Sequence, residues 1–233
     1  MTSVRGEEED TLDRKLDEYN IFIRNNQSVR LLHHISACDD PMMEDRVGSR
    51  NTFGISTNEH GQESKDESHT LKLACSQKNN QLTFAYVGEE KVLKGQELVD
   101  KYKVVIGRSV PRNGEVGVDP KVGYRAITTV HIFGPGTVFT DTYLLLDSFD
   151  TREEAENFAS YMTLKLPRFL LHETYTSMSI SRENFRFVPY LDYTQSWTDK
   201  MLYQRYHCTP EEIQMIESMM RPLEYVVHDG EMD

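Results

Sequence analysis

Arginine and lysine are the residues of this chain whose density and spacing point to chemistry. Between residues 101 and 125 stand Lys101, Lys103, Arg108, Arg112, Lys121 and Arg125, opposed only by Glu115 and Asp119. Within that stretch, Pro111, Gly114, Gly117, Pro120 and Gly123 give residues 108–123 the composition of a long loop. Cations on a loop neutralise phosphates, and an arginine fork matches the guanine edge in the DNA major groove. Arg182 and Arg186 flank Phe185 in a second basic cluster, and Arg50 and Phe53 lie in a short, turn-rich stretch, 49–58. The candidate DNA contacts are therefore Arg50, Phe53, Lys101, Lys103, Arg108, Arg112, Lys121, Arg125, Arg182 and Arg186. An ordinary solvated loop has the same composition, so both readings stay open on charge alone.

Catalysis has less support. The run Phe133-Gly134-Pro135-Gly136 differs from the Phe-x-Gly-x-Gly step that opens S-adenosylmethionine-binding domains, because Gly134 follows Phe133 directly and no acid precedes it. A plain turn suits it better. No two prolines are adjacent, so the Asn/Asp-Pro-Pro-aromatic motif that holds a flipped adenine is missing. Methyl transfer by this polypeptide on its own is not expected. Glu63-Ser64-Lys65 and Glu89-Glu90-Lys91 have the spacing of half a Mg²⁺-dependent Glu-x-Lys nuclease site, but no Pro-Asp pair precedes either. A weak nuclease reading rests on them alone. His33 and His34 are adjacent and point to different sides of a helix, so they cannot share a metal. His60, His69, His172 and His207 lack partners at ligand spacing, and no metal or other cofactor is expected in this chain.

Charge and composition bound the class. The chain has 233 residues, a formal net charge of −12 and 38% hydrophobic residues. That charge is concentrated at the ends, in residues 1–20 and 209–233, which leaves the middle locally basic. Cys38, Cys75 and Cys208 are scattered and odd in number, which fits a reducing cytoplasm rather than a disulfide framework. The acidic start is unlike a signal peptide, and no apolar run is long enough to span a membrane. A cytoplasmic protein without a membrane partner is expected.

The elements that must position these residues read as α+β: a mixed sheet, a central capped amphipathic helix and C-terminal helices. Residues 10–26 and 29–37 carry helical stripes, and 1–48 reads as a helical lead-in or connector. Leu71–Cys75 and Gln81–Val87 flank a polar turn as a hairpin, after a solvent loop at 58–69. Lys103–Ile106, Arg125–Phe133 and Tyr143–Leu146 read as strands. Thr151 with Glu154 starts the central helix, whose buried stripe is Ala155, Phe158, Ala159, Met162 and Leu166; Pro167 should end or kink it. The Pro-bearing stretch 187–193 suits a sheet edge. Thr198 caps a short helix, and Thr209, Pro210 and Glu212 open the last one. Residues 224–233 read as an acidic tail, of which the last eight, VVHDGEMD, should fray.

Four stretches carry a family resemblance: SRNTFGISTN (49–58), VFTDTYLLLDSFDTREEAENFASYMTLKLPRFLL (138–171), SRENFRFVPYLDYTQSWTDKMLYQRY (181–206) and TPEEIQMIESMMRPL (209–223). In this order they resemble the C-terminal part of type II restriction–modification N6-adenine DNA methyltransferases, the kind that can be fused to an endonuclease. The resemblance implies a target-recognition domain spanning 49–223, which lies across double-stranded DNA and selects its sequence. S-adenosylmethionine and methyl transfer would then belong to a separate catalytic domain. The expected function is a non-catalytic DNA-recognition module, partnered by an adenine methyltransferase or restriction-methylase subunit. The alternative is a protein-interaction or regulatory remnant that no longer binds DNA.

Overall fold

The computed structural model describes residues 2–5, 8–15, 17–19, 21–23, 25–76, 81–111 and 123–228. In chain order these form β1 (Thr2–Arg5), β2 (Glu8–Thr11), α1 (Asn26–Ser36), β3 (Leu71–Ser76), β4 (Leu82–Val87) and β5 (Tyr102–Gly107). They continue with β6 (Val130–Phe133), β7 (Thr137–Phe139), β8 (Tyr143–Phe149), α2 (Arg152–Thr163) and α3 (Lys165–His172). The last elements are α4 (Asp199–Arg205), α5 (Pro210–Met219) and β9 (Tyr225–His228). The α+β class expected from the sequence is the class observed.

The strands form a small hairpin, β1–β2, and two mixed sheets, ordered β4-β3-β7 and β8-β5-β6-β9. In the larger sheet β5 pairs antiparallel with β8 and β6, while β9 runs parallel to β6. In the smaller one β3 pairs antiparallel with β4 and parallel with β7. Strand alternation explains how these layers stack, because successive side chains leave opposite faces. Val104 and Ile106 of β5, with Leu144 and Leu146 of β8, enter the core shared with the helices. Val105, Tyr143 and Leu145 face the other way, into a second core with Leu73, Val138 and Phe139 of the smaller sheet. The larger sheet is thus covered on both faces, which is why β5 and the start of β8 read as continuous apolar runs. A bulge at Leu146, where Val104 opposes Asp147 but Val105 opposes Leu145, keeps both faces in register.

Helix α2 lies across β5, β6, β8 and β9. Its cap forms as its sequence requires: the Glu154 N–H donates to Thr151 Oγ1 at 3.3 Å. The expected stripe is buried, with Ala155, Phe158, Ala159 and Met162 at 0% exposure. Helix α5 has the full reciprocal cap between Thr209 and Glu212, with Pro210 in its first turn.

Several local expectations are corrected. Residues 12–25 are not helical where described, since Asn25 caps α1 by accepting from Gln27 N–H at 2.9 Å. The apolar residues there pack as irregular chain instead: Ile23 is buried, and Tyr19 meets Phe187 edge to face. Pro167 ends nothing. The break falls earlier, at Leu164, and Pro167 sits in the first turn of α3, where a missing N–H is tolerated. The free N–H groups of Lys165 and Leu166 are capped from a distance by the Asp199 carboxylate, at 2.9 and 3.0 Å. The 187–193 stretch joins no sheet; Pro189 makes one isolated bridge, to Met42. The expected strand at 125–133 shortens to β6. Residues 225–228 form an edge strand rather than a frayed end, and the tail beyond them lies outside the described residues, as do residues 77–80 of the β3–β4 turn.

One side chain ties these parts together. Arg168, fully buried, donates from Nε to the carbonyls of Thr163 and Leu164, and from its terminal nitrogens to those of Arg125 and Arg221. It thereby satisfies the exposed carbonyl end of α2 while fastening two loops to it.

Candidate nucleic-acid interface

The structure divides the sequence-predicted contacts into groups with different fates. Phe53 is removed from the set: it is 0% exposed and packs edge to face on Phe139, with ring centroids 4.9 Å apart. Gly54 beside it takes φ +74°, where any Cβ would press within 2.7 Å of Leu93. Lys103 is also removed. It is 0% exposed, and its Nζ donates to the carbonyls of Val99 and Gly134 at 2.7 and 2.9 Å. Burial pushes its pKa down to about 7, with Asp100 partly opposing that shift. Neither side chain can reach a DNA surface.

Other members are engaged in the fold. Arg108 donates from Nη1 to Asp141 Oδ1 at 2.8 Å, with a side chain only 17% exposed. Arg50 donates from Nε to the other oxygen of the same carboxylate at 3.0 Å, yet its side chain is 75% exposed. Arg125 is half-buried and donates to Thr129 Oγ1. Lys101 pairs with the exposed Asp150 at 3.2 Å, a contact that solvent screens. Arg182 is exposed at the start of a short 3₁₀ turn, Arg182–Phe185, and Arg186 follows it, donating to the Glu183 carbonyl. Arg112 and Lys121 lie outside the described residues.

A basic feature that the linear sequence does not announce lies elsewhere. A cleft of about 430 Å³ opens around the turn from β6 to β7. Its walls are Lys65, Thr70, Lys72, Tyr86, Tyr102, Gly134–Thr137, Arg152 and His228. Among the described residues that line it there is no aspartate or glutamate, in a chain of net charge −12. Each cation arrives by a different route. Lys72 is an alternate residue of β3, its Nζ lying 4.5 Å from the centre of the Phe84 ring and its pKa lowered by burial. Arg152 is the first residue of α2 and is steadied by Glu156, one turn on, at 2.6 Å. Lys65 comes from the polar loop before β3. The turn itself depends on Gly136, whose φ of +72° favours glycine, and on Lys103, which holds the Gly134 carbonyl from behind.

Such a lining suits a phosphate. Cations supply charge, hydroxyls of Thr70, Thr137, Tyr86 and Tyr102 supply donors, and the partly enclosed walls strengthen both relative to open water. Beside it, His131 Nδ1 and His228 Nε2 lie 2.9 Å apart, and burial followed by the neighbouring His228 lowers the His131 pKa to about 4. This pair joins β9 to β6.

Glu89–Lys91 forms a 3₁₀ turn in which Lys91 pairs with Glu59, at 2.9 Å. His33 and His34 turn to different acids, Glu18 and Glu212. Among the described residues no group of three His, Cys, Asp or Glu side chains could hold a metal ion. None of the helices among the described residues is long and apolar enough to cross a membrane. No protein-family model matches this chain, and no curated protein matches it.

Proposed function

We propose that this chain is a non-catalytic DNA-recognition module of a restriction–modification system, acting with a separate adenine methyltransferase. The cationic cleft, with no carboxylate among its described walls, carries the reading. Against a chain-wide excess of acid, Lys65, Lys72 and Arg152 gather at one concave site with hydroxyl donors, which is the chemistry of a phosphate backbone contact. The ordered resemblance of residues 49–223 to methyltransferase target-recognition regions supplies the biological setting. In this reading the cleft fixes the module on the duplex, exposed arginines elsewhere select sequence, and methyl transfer belongs to the partner.

Fluorescence anisotropy with duplex DNA, run over a salt series with the chain alone and with a candidate methyltransferase, tests this. Affinity should fall linearly on a log–log plot against salt, by roughly 0.9 in slope per phosphate neutralised. Absence of salt-sensitive binding in both arms would leave the protein-interaction alternative in its place.

A further inference from the structure

We propose that Arg50 reads a guanine in the major groove, its direction set by Asp141 and Arg108. The inference rests on the DNA-recognition reading and assigns a base-selecting role to one side chain within it. Arg50 combines two properties that the other described candidates do not share. Its side chain is 75% exposed, and its Nε is fixed at 3.0 Å to a carboxylate that is itself only 13% exposed. That carboxylate cannot swing freely. Its second oxygen accepts from Arg108 at 2.8 Å, and the Asp141 backbone N–H donates to the Ile55 carbonyl at 3.1 Å. The root of the arginine is held too, because Lys94 Nζ donates to the Arg50 carbonyl at 3.1 Å.

Anchoring through Nε leaves the two terminal nitrogens of the guanidinium, which make no hydrogen bond among the described residues. Together they present parallel N–H donors, the pattern that matches guanine O6 and N7. A phosphate would accept the same fork, but the carboxylate argues against that use. Asp141 cancels part of the positive charge of Arg50 and Arg108, which weakens a contact that works by charge and helps one that works by direction. Holding a long side chain before binding also removes much of its ordering cost. Arg152 is pinned at Nε as well, but by Glu156, which is 34% exposed on the same helix. Arg182 is exposed, and among the described residues no buried carboxylate aims it.

The test selects preferred duplexes from a random library with the full chain, comparing wild type, Arg50→Lys, Arg50→Gln and Lys72→Ala. Arg50→Lys keeps the charge and loses the fork. It should relax the preference for guanine at one base pair by about ten- to a hundredfold, with the salt slope unchanged. Arg50→Gln, with a thermal midpoint equal to wild type, should lose the same preference. Lys72→Ala should lower affinity on all sequences alike. If Arg50→Lys retains the wild-type preference, or weakens every sequence equally, the guanine assignment is overturned while DNA recognition stands. If wild type enriches no duplex and shows no salt-sensitive binding, both readings fall together.

Discussion

Two basic regions of this molecule look alike in charge and differ in what the fold does with it. The stretch from Lys101 to Arg125 is the densest run of cations in the sequence, and folding uses up most of its described members. Lys103 is buried against carbonyls, Arg108 is tied to Asp141, Arg125 is half-buried and Lys101 is paired. The cleft is the reverse case. Lys65, Lys72 and Arg152 come from a loop, a strand and a helix start, yet they line one cavity with no carboxylate among its described walls. Charge density along a chain therefore measures local composition, while charge at a surface depends on which strand face and which helix end each residue occupies.

That contrast can be broken from the structural side first, where the effects are largest. Arg168→Ala should destabilise the fold by about 3–5 kcal/mol, because it leaves a cavity and strips charge-assisted hydrogen bonds from buried carbonyls. A lowered urea midpoint with unchanged slope is the expected reading. Asp141→Asn is next. It leaves the poorly exposed Arg108 guanidinium without its counter-charge and should cost about 1–3 kcal/mol by the same measurement. A neutral result would mean that Arg108 is solvated well enough to serve as a free contact.

Lys103 gives a test with a sign. Its folded pKa, about 7, lies below the ordinary lysine value of 10.5, so above pH 7 the unfolded chain binds more protons than the folded one. Stability from this group is lost as pH falls through 7 and recovers as pH rises. The usable window runs from pH 7 to about 8.5. Above it the half-buried Cys208 thiol, pushed up to about 12 by burial and then by Glu212, pulls the other way. Urea midpoints for the wild type should rise across that window, and Lys103→Met should flatten the rise. Smallest of all is Lys101→Ala, an exposed ion pair, with an expected change in stability within about 0.5 kcal/mol.

Much of the scaffold could be read from sequence because its signals are local. Thr151 and Thr209 cap helices with their own neighbours, and the stripe from Ala155 to Met162 has one face to bury. The hairpin β3–β4 follows from alternation around a polar turn. What escaped the reading depends on distant partners. Asp199 caps α3 from more than thirty residues away, so Pro167 looked like a terminator when it was a first-turn residue. Lys103 reads as one more cation of the basic run because the Gly134 carbonyl that helps to hold it lies 31 residues away. Phe53 stands in a short, turn-rich stretch that gives no sign of its ring meeting Phe139 in a core. The cleft is the strongest case. Lys72 stands out only once β3 and β7 pair in parallel and bring the β6–β7 turn beside it.

The most direct test of the account compares the salt dependence of DNA binding for the wild type and for a variant carrying Lys65→Ala, Lys72→Ala and Arg152→Ala. The account predicts that the variant keeps the wild-type unfolding midpoint, binds duplex DNA more weakly on every sequence, and loses about 2–3 from the magnitude of the log–log salt slope. A variant that folds normally and binds with the wild-type slope would contradict it.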